Sequence, residues 1–369
     1  MLDLEQYFDR LPLRAQTAFS QLNEVAIRAE MGRTVAHLSG SFSQRIVREK
    51  TYWYFKHTDA KGKQRQIYVG PDSPEVRALV EAKQNSPQPD AIRKLAKIAA
   101  VSGCQMTPSL HFKVIKRLSD YGFFHSGGVA IGSHAFIAYG NMLGVHWGSA
   151  SAAVTYDIDF AHAGRNLSVA LPSDMDINTA DAIESLQMGF VPLMGTGGGG
   201  AGSWVIPEMP EFTLDFVTPK TTRDGEAFKH EQLGIVLQPL LFMEYSLEDV
   251  QQTVIFDGKS AVVINVPNPA RFALHKLIVH GERTGEHRSK SNKDLQQAAL
   301  LLHILRVQRL EDVEEAWLDL QDRGPGWRKR VKIGLDAVDA LWPQEGFAAW
   351  LNGIEKDSDK SHDPSRPRM

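Results

Sequence analysis

The chain has 369 residues, 43% of them hydrophobic and 23% charged, with a formal net charge of −3; this composition excludes fibrous and wholly disordered classes and leaves room for two domains. A single cysteine, Cys104, excludes an internal disulfide and fits a reducing compartment. No run approaches the roughly 20 apolar residues that span a bilayer, and "MLDLEQYFDRLPLRAQ" lacks the basic-then-apolar order of a signal peptide, so the expected location is the cytoplasm, with no membrane partner.

Residues 14–30, "RAQTAFSQLNEVAIRAE", space apolar positions among helix formers and predict a first helix. The next stretch changes character. Between Arg33 and Gly70 eight Lys and Arg stand against two acids, a net +6 that leaves −9 for the rest of the chain. Two β-rich runs there, Ile46 to His57 and Arg65 to Val69, flank a polar turn with Asp59 and Gly62 and predict a hairpin. Such segregation of charge suggests a localised anionic partner. Aromatics interleaved with cations can stack bases beside phosphates, which makes Arg48, Lys50, Trp53, Lys56, Lys63 and Arg65 candidate nucleic-acid contacts. The same alternation is also what a small sheet needs for its own core. "DSPEVRALVEAKQ" predicts a short helix with Pro74 in its first turn, and "NSPQPD", residues 85–90, a linker. A first module over 1–90 is expected.

From Ala91 to about Tyr121 the pattern is helical, with Thr107 and Pro108 opening a second segment. "FFHSGGVAIGSHAFIAYG" then reads as a strand that turns at Gly132 and Ser133 into a helix. "TYDIDFA" is the next strand, "TADAIESLQMG" a helix and "FTLDFVTP" a short strand holding Asp215. "MGTGGGGAG" has the glycines of a phosphate-binding loop without its Lys and Ser or Thr, so it reads as a flexible connection. Further on, "VVINVPNPARFALHKLIVHGERTG" predicts strand, turn and helix, and "KSNKDLQQAALLLHILRV" an amphipathic helix. The expected fold is α+β: a small mixed sheet flanked by helices over 91–265, a helical region over 266–353 and a disordered tail over 354–369.

Chemistry concentrates on three acids in apolar strands. Alternation puts Asp157 and Asp159 on one face while Ile158 and Phe160 point into the core, and Asp215 sits likewise between Leu214 and Phe216. If the three converge at ~4 Å, each pair repels by about 4 kcal/mol at an effective dielectric near 20. A cation relieves this, and Mg²⁺ suits a set of hard carboxylate oxygens. The 13 histidines form no His-Glu-x-x-His run, so zinc has no signal. Upstream, backbone N–H groups and a hydroxyl at Gly132 and Ser133 can hold a triphosphate at a helix N-terminus.

Gly-Ser at a strand-to-helix turn, Asp-x-Asp on the next strand and a lone Asp on a later one together resemble the DNA polymerase β-like nucleotidyltransferase superfamily. "NPARFALHKLIVHGER" followed by "KSNKDLQQAALLL" is similar to its minimal, AbiEii-like members, found among bacterial toxin-antitoxin and phage-defence proteins. The resemblance covers roughly residues 120–305. It implies a transferase that moves a nucleoside monophosphate from an NTP such as ATP to an acceptor, most plausibly the 3′ end of an RNA such as tRNA. A protein or small-molecule acceptor stays open, as does a catalytically silent binding module. The resemblance makes Asp157, Asp159 and Asp215 the catalytic ligands of two Mg²⁺ ions and assigns Gly132 and Ser133 to the triphosphate; His134, just after that turn, is a further nucleotide candidate, as are Lys290 and Lys293. Lys276 reaches the phosphates, Lys290, Lys293 and Asp294 belong to closing helices, and an antitoxin or regulatory protein is the implied partner. The 24 positions from Ser133 to Asp157 exceed the family's usual spacing, so Gly127 and Gly128 offer a rival alignment of the turn.

Overall fold

The computed structural model describes residues 3–31, 40–47, 50–58, 64–84, 89–148, 156–162, 178–194, 200–220, 226–231, 233–282 and 288–361. A 3-10 turn (Leu4–Tyr7) leads into β1 (Phe8–Arg10) and α1 (Leu13–Met31). There follow β2 (Gly40–Val47), β3 (Lys50–Thr58), β4 (Gln64–Pro71), α2 (Pro74–Gln84), α3 (Pro89–Ser102) and α4 (Ser109–Asp120). Next come β5 (Gly128–Ala130), α5 (Gly132–Met142), β6 (Val145–Trp147), β7 (Ile158–His162), α6 (Thr179–Ser185), β8 (Val191–Met194), β9 (Gly200–Ile206) and β10 (Met209–Pro219). The last part holds β11 (Phe228–His230), β12 (Ile235–Leu240), α7 (Met243–Ser246), β13 (Val250–Phe256), β14 (Ala261–Pro267), α8 (Pro269–Glu282), α9 (Arg288–Gln308), α10 (Leu310–Asp322), α11 (Pro325–Leu341) and α12 (Phe347–Ser361).

The fold is α+β around a mixed, curled sheet of order β11-β12-β10-β7-β5, with β9 paired to the long β10 and β8 to β9. β10 lies parallel to β7 and β12 but antiparallel to β9, whereas β5 runs antiparallel to β7. Inward residues of the two central strands fix this register: Ile158 and Leu214 are partners, and Phe160 stacks on Phe216 at 5.3 Å and 18°. One continuous core joins that layer to α4, α5 and the helices from α8 to α12.

The β13–β14 ribbon is buried on both faces. Ile255, Ile264 and Val266 join the main core, while Val254, Phe256 and Val263 pack under α1 and α3 with Phe19, Leu22 and Ala96. β1 pairs with β6. Residues 4–31 therefore pack with the main body, while β2–β4 form a three-stranded sheet of their own within the expected 1–90 module. Its strand read as Ile46 to His57 is divided between β2 and β3, with positions 48 and 49 outside the described residues. The division escaped notice because β2, "GSFSQRIV", is polar at most positions. The expected turn at Asp59 and Gly62 also lies outside the described residues.

Two further readings change. The glycine-rich connection ends inside β9, which begins at Gly200, with 195–199 outside the described residues. Helix α12 continues to Ser361, so the tail expected to lose structure at 354 starts as helix.

In the helical part α8 and α11 touch backbone to backbone: a Cβ on Gly334 would lie 2.4 Å from the Leu277 carbonyl oxygen. Gly334→Ala is expected to force these helices apart and to cost about 1–3 kcal/mol, measurable as a lower midpoint in urea.

Candidate active site

The central strands bring two of the three acids side by side. Asp159 on β7 and Asp215 on β10 are register partners in the parallel pair, so both side chains leave the same face of strands about 4.8 Å apart. Asp157 lies just before β7, two residues upstream of Asp159. Its Oδ1 is buried without a hydrogen-bond partner, and Thr213 donates to Asp215 Oδ2 at 3.4 Å. All three carboxylates are half-buried. An orphaned buried oxygen among hard anionic neighbours fits a cation. Among the described residues, however, no three His, Cys, Asp or Glu side chains already stand in a geometry that could hold a metal.

Against these acids stands the β5–α5 turn. The Ile131 N–H donates to the Asp159 carbonyl at 3.0 Å, and no side chain caps α5. Gly132 has φ +59, and a Cβ there would sit 2.1 Å from Asp159 Oδ2, so the carboxylate lies almost on the helix's first residue. Gly127 and Gly128 precede this point, at the start of β5. The uncapped N–H groups of α5 therefore begin at Gly132 and Ser133, and the rival alignment is not the strand-to-helix turn. Asn265 of β14 fixes the approach, donating to the carbonyls of Phe124 (2.6 Å) and Gly128 (2.8 Å).

The lysines divide the work differently from the expectation. Lys293 of α9 donates to Ser133 Oγ at 3.0 Å. Burial and the neighbouring Lys276 lower its pKa, and Asp157, Asp294 and Asp159 oppose that shift. Lys276 is instead paired with Asp294 at 2.5 Å and lies over the Phe272 ring. The Lys290 side chain lies outside the described residues.

His134 is buried and shares a 2.9 Å hydrogen bond with His111 of α4, whose ring stacks on Phe212. His111 escaped the sequence reading because "SLHFKV" shows only a helical polar position; Asn265 left a fainter signal, a polar residue within "VVINVP". Burial first, then His111, push the His134 pKa down to about 3 from 6.5. A histidine neutral when folded but free to charge when unfolded makes stability fall as pH drops from 6.5 towards 3, by up to about 1.4 kcal/mol per pH unit, with no penalty above that window. His134→Gln is expected to flatten this acid limb in urea titrations at pH 4–6.5, leaving the slope above pH 7 unchanged.

Of the basic candidates on the small sheet, Lys50 and Lys56 are exposed. Trp53 is no free stacking surface: its ring packs edge-on to Phe42 and its Nε1 donates to Asp72 at 3.0 Å, on the face that α2 covers. Arg48, Lys63 and the Arg65 side chain lie outside the described residues.

A helix N-terminus facing paired strand carboxylates and a lysine has the chemistry to receive phosphates beside a cation. A nucleotidyltransferase family model matches residues 109–322, more than half of the chain. The chain belongs to that family, and with it to the enzymes that transfer a nucleoside monophosphate from an NTP substrate. No curated protein and no solved structure matches the chain. Nucleotidyltransferases generally use divalent metals, and no helix among the described residues is long and apolar enough to cross a membrane.

Proposed function

We propose that the acceptor is RNA, at its 3′ end as in tRNA, that two Mg²⁺ ions serve the reaction and that Asp157, Asp159 and Asp215 hold them. The register pairing of Asp159 with Asp215 beside the orphaned Asp157 oxygen supports the metal-binding part of this reading, and the family resemblance supports the acceptor. The ions, when bound, neutralise triphosphate charge and lower the pKa of the acceptor hydroxyl. The protein's own groups position the substrates. The first N–H groups of α5 at Gly132 and Ser133 receive phosphate oxygens. Lys293 adds a positive charge beside them, while the Lys276–Asp294 pair holds α8 against α9. His134 supports the turn from beneath through His111. The acceptor oxygen bonds to the α-phosphorus as the bond to pyrophosphate breaks. The AbiEii-like resemblance supports a toxin-antitoxin or defence setting with a regulatory protein partner, and the single buried cysteine supports a cytoplasmic one.

The test supplies each α-labelled NTP with Mg²⁺ and total RNA. Label entering RNA, abolished by chelation, is the expected result, and Lys293→Met should slow it about tenfold to a hundredfold through loss of one charge-assisted phosphate contact. Label entering protein would replace the acceptor. No incorporation by the native chain, with tight NTP binding retained, would establish a silent binding module.

A further inference from the structure

The β2–β3–β4 sheet has one covered face and one open face. Trp53 pairs with Gly70, where a Cβ would lie 3.2 Å from Val76 of α2, so Phe42, Trp53 and the fully buried Phe55 lie on the side that α2 covers. Antiparallel register places Arg45 beside Tyr52, Ser43 beside Tyr54, and Tyr54 beside Tyr68, all on the opposite side. There Tyr68 meets Tyr54 at 5.4 Å and Tyr52 at 6.2 Å between ring centres, and the Arg45 guanidinium stands 5.6 Å over the Tyr54 ring. Lys50 and Lys56 extend the row at either end of β3, and Tyr68 is 53% exposed. Among the described residues, the strand positions of this face include no acid, within the segment of net charge +6.

We infer that this tyrosine face binds a single-stranded segment of RNA, as the platform that presents the acceptor. The inference deepens the RNA-acceptor reading and rests on it for its role in the reaction. Cations beside the rings match a phosphate backbone, and sheet aromatics stack unpaired bases in a sequence-tolerant way. A duplex hides its base faces and leaves the tyrosines nothing to stack on.

The test is fluorescence anisotropy of the full chain, without NTP, on a labelled 12-nucleotide mixed-sequence RNA and on the same RNA as a duplex. The native chain should prefer the single strand. Tyr52→Leu/Tyr54→Leu, which keeps bulk but not π faces, should weaken binding by about tenfold or more, while Tyr52→Phe/Tyr54→Phe binds as the native chain does. Arg45→Gln should lower the salt slope by roughly 0.7, and this carries the test if the leucine pair fails to fold. Equal binding by native and leucine chains with an unchanged salt slope for Arg45→Gln, preference for the duplex, or no binding at all would each overturn the inference. Asp157→Asn should bind RNA as the native chain does. RNA binding here with no transfer would sink only the active-site reading, and transfer to RNA with no binding on this face would sink only the platform.

Discussion

Asp157→Asn is expected to lower nucleotidyl transfer by about a thousandfold or more, roughly 4 kcal/mol of barrier, while the protein folds as before. The variant removes an anion whose Oδ1 is buried without a partner and which lies one residue before β7, the strand that pairs Asp159 with Asp215. In the absence of metal that charge is a burden, so the melting temperature should stay level or rise by roughly 2 °C. Pyrophosphate release and thermal unfolding, measured on the same sample, separate the two effects. Native-like turnover, or collapse of the fold, would show that Asp157 is structural.

Gly132→Ala should damage both stability and activity. Alanine pays about 1–2 kcal/mol to adopt the left-handed conformation, and its Cβ would lie 2.1 Å from Asp159 Oδ2, so the carboxylate must swing away. We expect a stability loss of about 2 kcal/mol or more in denaturant titration. Transfer should fall about a hundredfold, since a displacement of about 1 Å at a reacting centre costs that much. A double-mutant cycle with Asp159→Ala isolates the clash: with the carboxylate gone, only the backbone strain should remain. Strictly additive penalties would mean that the turn does not press on Asp159.

Much of this site is legible before folding is considered. Ile158, Phe160, Leu214 and Phe216 announce strands by apolar alternation, and that alternation sets Asp159 and Asp215 opposite their apolar neighbours, while Asp157 falls just before its strand. The Gly132–Ser133 turn shows itself as a switch from strand to helix pattern. Pattern fails where the chain is polar on both faces, as in β2, or too short for a period, as in β8 and β11. It also misassigned Trp53, because a residue's face in a three-stranded sheet depends on which side the helix covers.

The α+β class, the strands that bear Asp159 and Asp215 and the basic character of the 33–70 segment are local properties of alternation and charge, and the sequence displays them unaided. Only the tertiary structure decided that Asp159 and Asp215 are register partners, that Lys293 rather than Lys276 touches Ser133, that His111 lies under His134 and that a tyrosine row faces outward. Each of these joins residues far apart in the chain, such as Ser133 and Lys293, 160 positions apart, and burial of a shared core rather than any local preference sets their contact.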